Sequence, residues 1–235
     1  MTVTPHEPAH LGPAHQGQPD GRVLAVCAVH ADVDLGRAGI SAIDKRPHDG
    51  RVQVGELGLV TDHVRDTKHH GGHDQAVYAY DDHEARRWAD ELGRDLPYGW
   101  FGENLRVDGL PVTDALVGER WWVGPPDDPS TGVLLETTIP RTPCRTFAAW
   151  AGEPRWVKRF MQQGDVGTYL RVLTPGSIGA GDAIRVVSRP DHGVTVRDLL
   201  TGTDAEPLQT LLAADDLPAK VRREASRHLA RVVEV

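Results

Sequence analysis

The residues best able to do chemistry gather at four places. The first is Ile139–Arg145, reading Ile-Pro-Arg-Thr-Pro-Cys-Arg, where Cys144 follows a proline and lies between Arg141 and Arg145. Nearby cations favour the thiolate, the form that attacks substrates and ligates metals. Pro140 and Pro143 stiffen the chain that carries it. The second is Ser41 and Lys45, a hydroxyl and an ammonium whose spacing lets both reach one anion. The third runs Lys68-His69-His70-Gly71-Gly72-His73-Asp74. Paired glycines let backbone amides approach a ligand closely, and Lys and His add donors, which makes an anion cradle. The same histidines also fit zinc, although no Cys or second His pair stands at a structural-zinc spacing. The fourth is Phe101-Gly102-Glu103-Asn104, whose carboxylate and amide can orient a heterocycle or simply close a β-turn.

Those groups have to be held by a fold, and composition narrows which. A chain of 235 residues, 39% hydrophobic and 26% charged, suits a globular protein with one sizeable core and a small appendage. The net charge of −8 argues against a general nucleic-acid binder. Only Cys27 and Cys144 are present, so one disulfide is conceivable but no disulfide framework is. The first twenty residues lack a basic start and an apolar segment, and no run approaches the ~18 apolar residues of a membrane span. A cytoplasmic protein without a membrane partner is the expectation. Basic residues are skewed, with four lysines (Lys45, Lys68, Lys158 and Lys220), and Asn104 is the only asparagine. Two of those lysines and that asparagine fall in the stretches above.

Residues 1–20, rich in Pro, His and Gly, are expected to be a disordered tail. Arg22–Val29 has the length and apolarity of a strand, with Cys27 as a small core residue. Gly36–Pro47 is expected to be a loop. Further strands are predicted at 51–60, 75–80, 104–107, 115–123, 132–138, 168–173 and 183–188, most separated by Gly and Pro turns. A helix over 81–93 has an Asp81/Glu84 capping pair, an Ala85, Trp88, Ala89 and Leu92 face, and a Gly93 stop. A second helix spans 154–163 and ends at Gly164. Many short strands with few helices between them predict a mainly β fold, a closed or nearly closed barrel over 21–190. From about 191 the pattern changes to three helices reaching residue 235, which look more like a packing or recognition module than a chemical one.

The ordered set Lys68-His69-His70-Gly71-Gly72, Ala76-Val77-Tyr78-Ala79-Tyr80, Phe101-Gly102-Glu103-Asn104-Leu105 and Pro140-Arg141-Thr142-Pro143-Cys144 resembles the MOSC domain family, and within it the YiiM-like branch. Gly-Thr-Tyr-Leu-Arg-Val at 167–172 and Gly176…Gly181-Asp182 also fit. The resemblance covers about residues 22–190, and the three helices are similar to that branch's C-terminal extension. It implies a β-barrel binding the molybdenum cofactor, with Cys144 as the protein ligand to molybdenum. It further implies two-electron reduction of small N-hydroxylated substrates, N–OH to N–H. Ser41, Lys45, Lys68, His70, Gly71, Gly72, Phe101, Gly102, Asn104, Arg141 and Arg171 fall where similar proteins hold the cofactor. Glu103 or His70 is the candidate proton donor. Two cysteines cannot build a four-Cys cluster, so electrons are expected from a separate reductase, which the helical tail can dock as readily as a second copy in a homodimer. The alternatives are a carrier of the cofactor without turnover, and a cysteine hydrolase pairing Cys144 with His70, for which no oxyanion-loop signature is visible.

Overall fold

The computed structural model describes residues 20–67, 70–128, 130–202 and 204–233. The expected N-terminal tail therefore lies outside the described residues, Asp20 excepted. Seven strands close on themselves in the order β11-β7-β8-β9-β5-β6-β1 and back to β11. They are β1 (Gly21–Asp34), β5 (Val77–Asp81), β6 (Leu105–Asp108), β7 (Arg120–Gly124), β8 (Val133–Pro140), β9 (Thr168–Thr174) and β11 (Ala183–Ser188). All neighbours are antiparallel except β5 and β6, joined by helix α1 (Asp82–Leu92), which supplies the crossover that a parallel pair needs. Alternation along the strands sends Val77, Ala79, Leu105, Val107, Leu135 and Leu170 into the barrel. A small sheet of β3 (Val52–Gly55), β4 (Gly58–Leu59) and β10 (Gly176–Ile178) adds Val52, Val54 and Ile178 to the same core.

The stretch expected as a loop is a strand. Ile40–Pro47 forms β2, which pairs antiparallel with β1 from Cys27↔Pro47 to Asp34↔Ile40. β1 runs five residues past its apolar part, so the hairpin extends off the barrel and has no second sheet to cover. Its residues are accordingly mixed polar and apolar, which conceals the strand from an apolar-run criterion. The strand predicted from 115 starts only at Arg120, because Gly118 turns there with φ 83°.

The opposite parity, Tyr78 and Tyr80, points out of the barrel into an aromatic layer with Trp88, Trp100, Phe101, Phe147, Trp156 and Phe160. Tyr80 stacks on Phe101 with ring centroids 4.1 Å apart. This layer holds α1, α2 (Arg145–Ala151) and α3 (Trp156–Gln163) against the barrel. Gly93 and Gly164 end α1 and α3 in the left-handed conformation. The capping pair on α1 is only half right: Asp81 accepts from the His83 N–H, while Glu84 turns inward to accept from the Thr113 hydroxyl at 2.8 Å.

Three helices follow, α4 (Val196–Thr201), α5 (Ala205–Leu212) and α6 (Ala219–Val233). Thr195 and Asp198 form the reciprocal capping box at the start of α4. Val196, Leu199, Leu208, Leu211, Val221 and Ala225 share one apolar cluster with Val117 and Ile139 of the barrel segment. No described helix is long and apolar enough to cross a membrane.

Candidate active site

A cavity of about 710 Å³ lies on the outer side of the barrel wall, where Tyr78 of β5 and Tyr169 of β9 face away from the core. The β1–β2 hairpin forms one side with Ser41, Ile43 and Lys45. Residues four apart on a strand share a face, so Ser41 and Lys45 both reach the cavity, from a strand and not from the expected loop. The loop after β4 contributes Asp62, His63 and Arg65. Gly71, Gly72 and Gln75 form the next side, and the connection from β8 to α2 brings Arg141 and Cys144. Lys220, from α6, completes the wall.

Both cysteines are free, so the conceivable disulfide does not form. They differ in chemistry. Burial pushes the Cys27 thiol far up, with Glu103 adding to the rise. Burial also raises Cys144, but its hydrogen bond with His70 and the charge of Arg141 outweigh that and bring it from 9.0 down to about 6. The Phe147 backbone N–H in the first turn of α2 directs its positive end toward the sulfur without closing a capping bond. Arg145, expected to share this role, is exposed on α2 and lies off the cavity. Alkylation of Cys144 by iodoacetamide in cofactor-free protein should therefore reach half its maximal rate near pH 6 and fall below it as the thiolate is protonated. Cys27 should stay unmodified in the folded protein. Peptide mass mapping across a pH series checks both, and a midpoint above pH 8 for Cys144 would contradict the geometry.

Arg141 is 6% exposed, with its guanidinium 3.8 Å from the centroid of the Phe147 ring. Its Nη1 is buried without a hydrogen-bond partner. The guanidinium packs against the Phe147 and Tyr78 rings and that nitrogen does not open to the cavity, but the residue lines the cavity, so its positive charge favours an anion placed there. Lys45 instead has a partner: its Nζ lies 2.6 Å from Asp62, both side chains 11% exposed. Asp62 also accepts from Asn104 Nδ2 at 2.7 Å and the Val29 N–H at 3.0 Å. Asn104 in turn accepts from the Tyr78 N–H at 3.1 Å and donates to the Cys27 carbonyl at 3.2 Å. The single asparagine therefore ties the hairpin, β5 and the loop after β4 together at the cavity floor.

Of the residues predicted for the site, Ser41, Lys45, His70, Gly71, Gly72, Gly102, Asn104, Arg141 and Cys144 line this one cavity. Lys68 and His69 lie outside the described residues. Three are placed elsewhere. Phe101 is fully buried in the aromatic layer. Glu103 is also fully buried; its carboxylate accepts from the Gly99 and Phe101 N–H groups at 2.8 and 2.9 Å and pairs with Arg106, which removes it as a proton donor to the cavity. Arg171 pairs with Glu136 at 2.6 Å, away from the thiol.

The zinc alternative rests in part on His69, outside the described residues. Among the described residues no three His, Cys, Asp or Glu side chains converge on a metal position, and His73 is exposed on a 3-10 turn away from the cavity. Asp62 and Lys220 are the functional candidates that local sequence did not reveal. Asp62 follows a tight β3–β4 turn with no motif of its own, and Lys220 comes from a helix about 76 residues beyond the thiol. Burial lowers the pKa of Lys220, with Asp74 opposing and Arg223 adding to the shift.

A model of the MOSC domain family matches residues 66–185. Protein YiiM of Escherichia coli is 31% identical over 163 residues, which cover 67% of this chain and 68% of that protein. A protein called Reductase from Gibberella moniliformis is 33% identical over 159 residues, 66% of this chain, and the match spans only 27% of that longer protein. The crystal structure of YiiM from Geobacillus stearothermophilus superposes with a TM-score of 0.69 at 24% identity, covering 89% of this chain and 99% of the other, a likeness of fold. The domain match takes in both Gly71-Gly72 and Cys144, the two stretches that meet across the cavity. This chain belongs to the MOSC domain family, in its YiiM-like branch.

Proposed function

We propose that this chain binds the molybdenum cofactor and reduces N-hydroxylated bases or related N-hydroxy compounds to the corresponding N–H compounds, with electrons from a separate reductase. The observation that carries the proposal is the juxtaposition, in one cavity, of a thiol at Cys144 whose pKa is lowered to about 6 and the buried guanidinium of Arg141 beside it. A soft thiolate suits molybdenum, so Cys144 would be the residue to hold it. The cofactor's phosphate needs cations and backbone amides, which Arg141, Lys45, Lys220 and the Gly71-Gly72 turn offer around one space. The glycines hold φ of 74° and 81°, which residues with a side chain rarely adopt, and lacking a Cβ they leave the backbone open to a ligand.

When bound, the cofactor supplies the two-electron chemistry. The chain's own residues orient it and handle protons. Conversion of R–NH–OH to R–NH2 consumes two electrons and two protons and releases water. His70 lines the cavity and hydrogen-bonds Cys144, which supports the reading that it passes a proton to the departing hydroxyl. Ile40, Leu57 and Val64 leave apolar surface at the cavity wall, 55%, 66% and 40% exposed, which suits the flat face of a heterocycle. The net charge of −8 and a cavity of about 710 Å³ fit a small molecule and not a nucleic acid.

Protein made in a host that synthesises the cofactor should contain molybdenum and pterin in equal amounts. Elemental analysis for Mo and Zn, beside fluorescence of the oxidised pterin, makes the measurement. Zinc without pterin would reject the proposal. Molybdenum and pterin with no reduction of any N-hydroxylated compound by a competent donor would reduce it to the carrier function.

A further inference from the structure

Among the described residues, the hydrogen bonds that Lys220 makes from its backbone N–H and its ammonium end on one five-residue loop, residues 71–75. Its backbone N–H donates to the Asp74 carboxylate at 2.9 Å, so a residue of the loop caps α6. Its ammonium donates to the Gly71 carbonyl at 3.0 Å and to the Gln75 side-chain oxygen. The loop needs such an anchor. Two adjacent glycines in left-handed conformations carry a large conformational entropy, and little in the loop itself would fix them. The Thr138 hydroxyl adds a further tie from β8, donating to the Asp74 carbonyl at 2.7 Å, and the Gln75 N–H closes the turn on the Gly72 carbonyl at 3.0 Å. His70, which hydrogen-bonds the Cys144 thiol, directly precedes Gly71. One residue later on α6, Val221 is buried in the same cluster as Ile139, two residues before Arg141. The start of α6 thus braces both segments that meet at the thiol.

We propose that Lys220 is a positioning residue of the ligand site and that α6 is a structural part of that site. Lys220 fixes the Gly71–Gln75 turn and with it His70, and its ammonium faces the same cavity as Lys45 and Arg141. Docking of the C-terminal helices and binding of an anionic ligand then favour each other, and by linkage the coupling is reciprocal. The proposal rests on the cofactor-binding function only for the identity of the ligand.

The test uses the full chain with Lys220→Met, which keeps the apolar stem, and Lys220→Arg, which keeps charge and donors. Hydrogen exchange on cofactor-free protein reads the loop without reference to any ligand. Amides 70–76 in Lys220→Met should exchange at least about tenfold faster than in wild type, while the Val221–Leu229 amides keep their protection. Lys220→Arg should restore most of the protection. On cofactor-loaded protein, molybdenum and pterin retained after gel filtration should drop in Lys220→Met and recover in Lys220→Arg, and the cofactor should slow exchange in α6 of wild type. Unchanged exchange at 70–76 would overturn the positioning role. Faster exchange with full retention would overturn the coupling. If wild type itself retains neither molybdenum nor pterin, the cofactor-binding function fails, while the exchange comparison still decides the role of Lys220.

Discussion

Cys144→Ser is expected to lose molybdenum and to lose N-hydroxyl reduction by more than about 100-fold, beyond the loss usual for outer-shell partners of a metal, while the protein stays folded. The side chain is half-buried at the start of α2 and packs at the edge of the aromatic layer, so replacing sulfur with oxygen removes little buried surface. The change in stability should stay within about 1 kcal/mol, as for substitutions that open no cavity and strand no charge. Chemistry changes far more than packing. A serine hydroxyl next to His70 and Arg141 keeps its proton at neutral pH, and an alcohol oxygen is a hard, neutral donor where the site offers a soft anion. Metal content, pterin fluorescence and a urea transition measured on one preparation separate the effects. Full retention of molybdenum with undiminished turnover would show that the thiol is a bystander.

Much of this site was legible because small motifs each needed an unusual residue. Gly71-Gly72, Cys144 directly after a proline and between two arginines, and the single Asn104 are such residues, and all of them line the cavity. Ser41 and Lys45 were found for a reason that the fold replaces: they share a strand face and not a loop. Arg171 shows the limit of parity. It sits on the same outward side of β9 as Tyr169, but two residues further along the strand it meets Glu136 instead of the cavity. Glu103 misleads because a carboxylate on a glycine-rich loop looks like a ligand group. The corrective signal was Arg106 three residues on, a cation inside an apolar strand that needs a buried partner. Asp62 and Lys220 carry no local signal, since their roles come from chain segments that meet only in the fold. Helix ends were the reverse case, with Gly93, Gly164 and the Thr195–Asp198 box each set by neighbours within four residues.

Glu103→Ala should destabilise the protein by about 3–5 kcal/mol, the cost typical of removing one member of a buried ion pair. The carboxylate is fully buried and accepts four hydrogen bonds: Gly99 N–H at 2.8 Å, Phe101 N–H at 2.9 Å, Arg106 Nε at 3.0 Å and Arg106 Nη2 at 2.5 Å. Alanine leaves two backbone donors without acceptors and a 1%-exposed guanidinium with only Asp82, 3.3 Å away. The aromatic rings of Tyr80, Tyr98 and Phe101 around Arg106 attract the cation but cannot accept its directed N–H bonds as a carboxylate does. Against the roughly 5–15 kcal/mol that holds a domain folded, this is a large fraction. Gly99 transmits the damage to the cavity, because it packs against the Lys45 carbonyl with φ 90°, too close for any Cβ. Gly102 and Asn104 on either side of Glu103 line the cavity, so the loosened loop also releases the Asn104–Asp62–Lys45 chain. Glu103→Gln, which keeps the shape and one acceptor, should fall between wild type and Glu103→Ala in urea midpoint, and loaded protein that remains folded should keep most of its turnover. A proton donor would give the opposite order: near-normal stability in Glu103→Gln with turnover abolished. That outcome would return Glu103 to the chemistry and overturn its assignment as the internal clamp of the 99–104 loop.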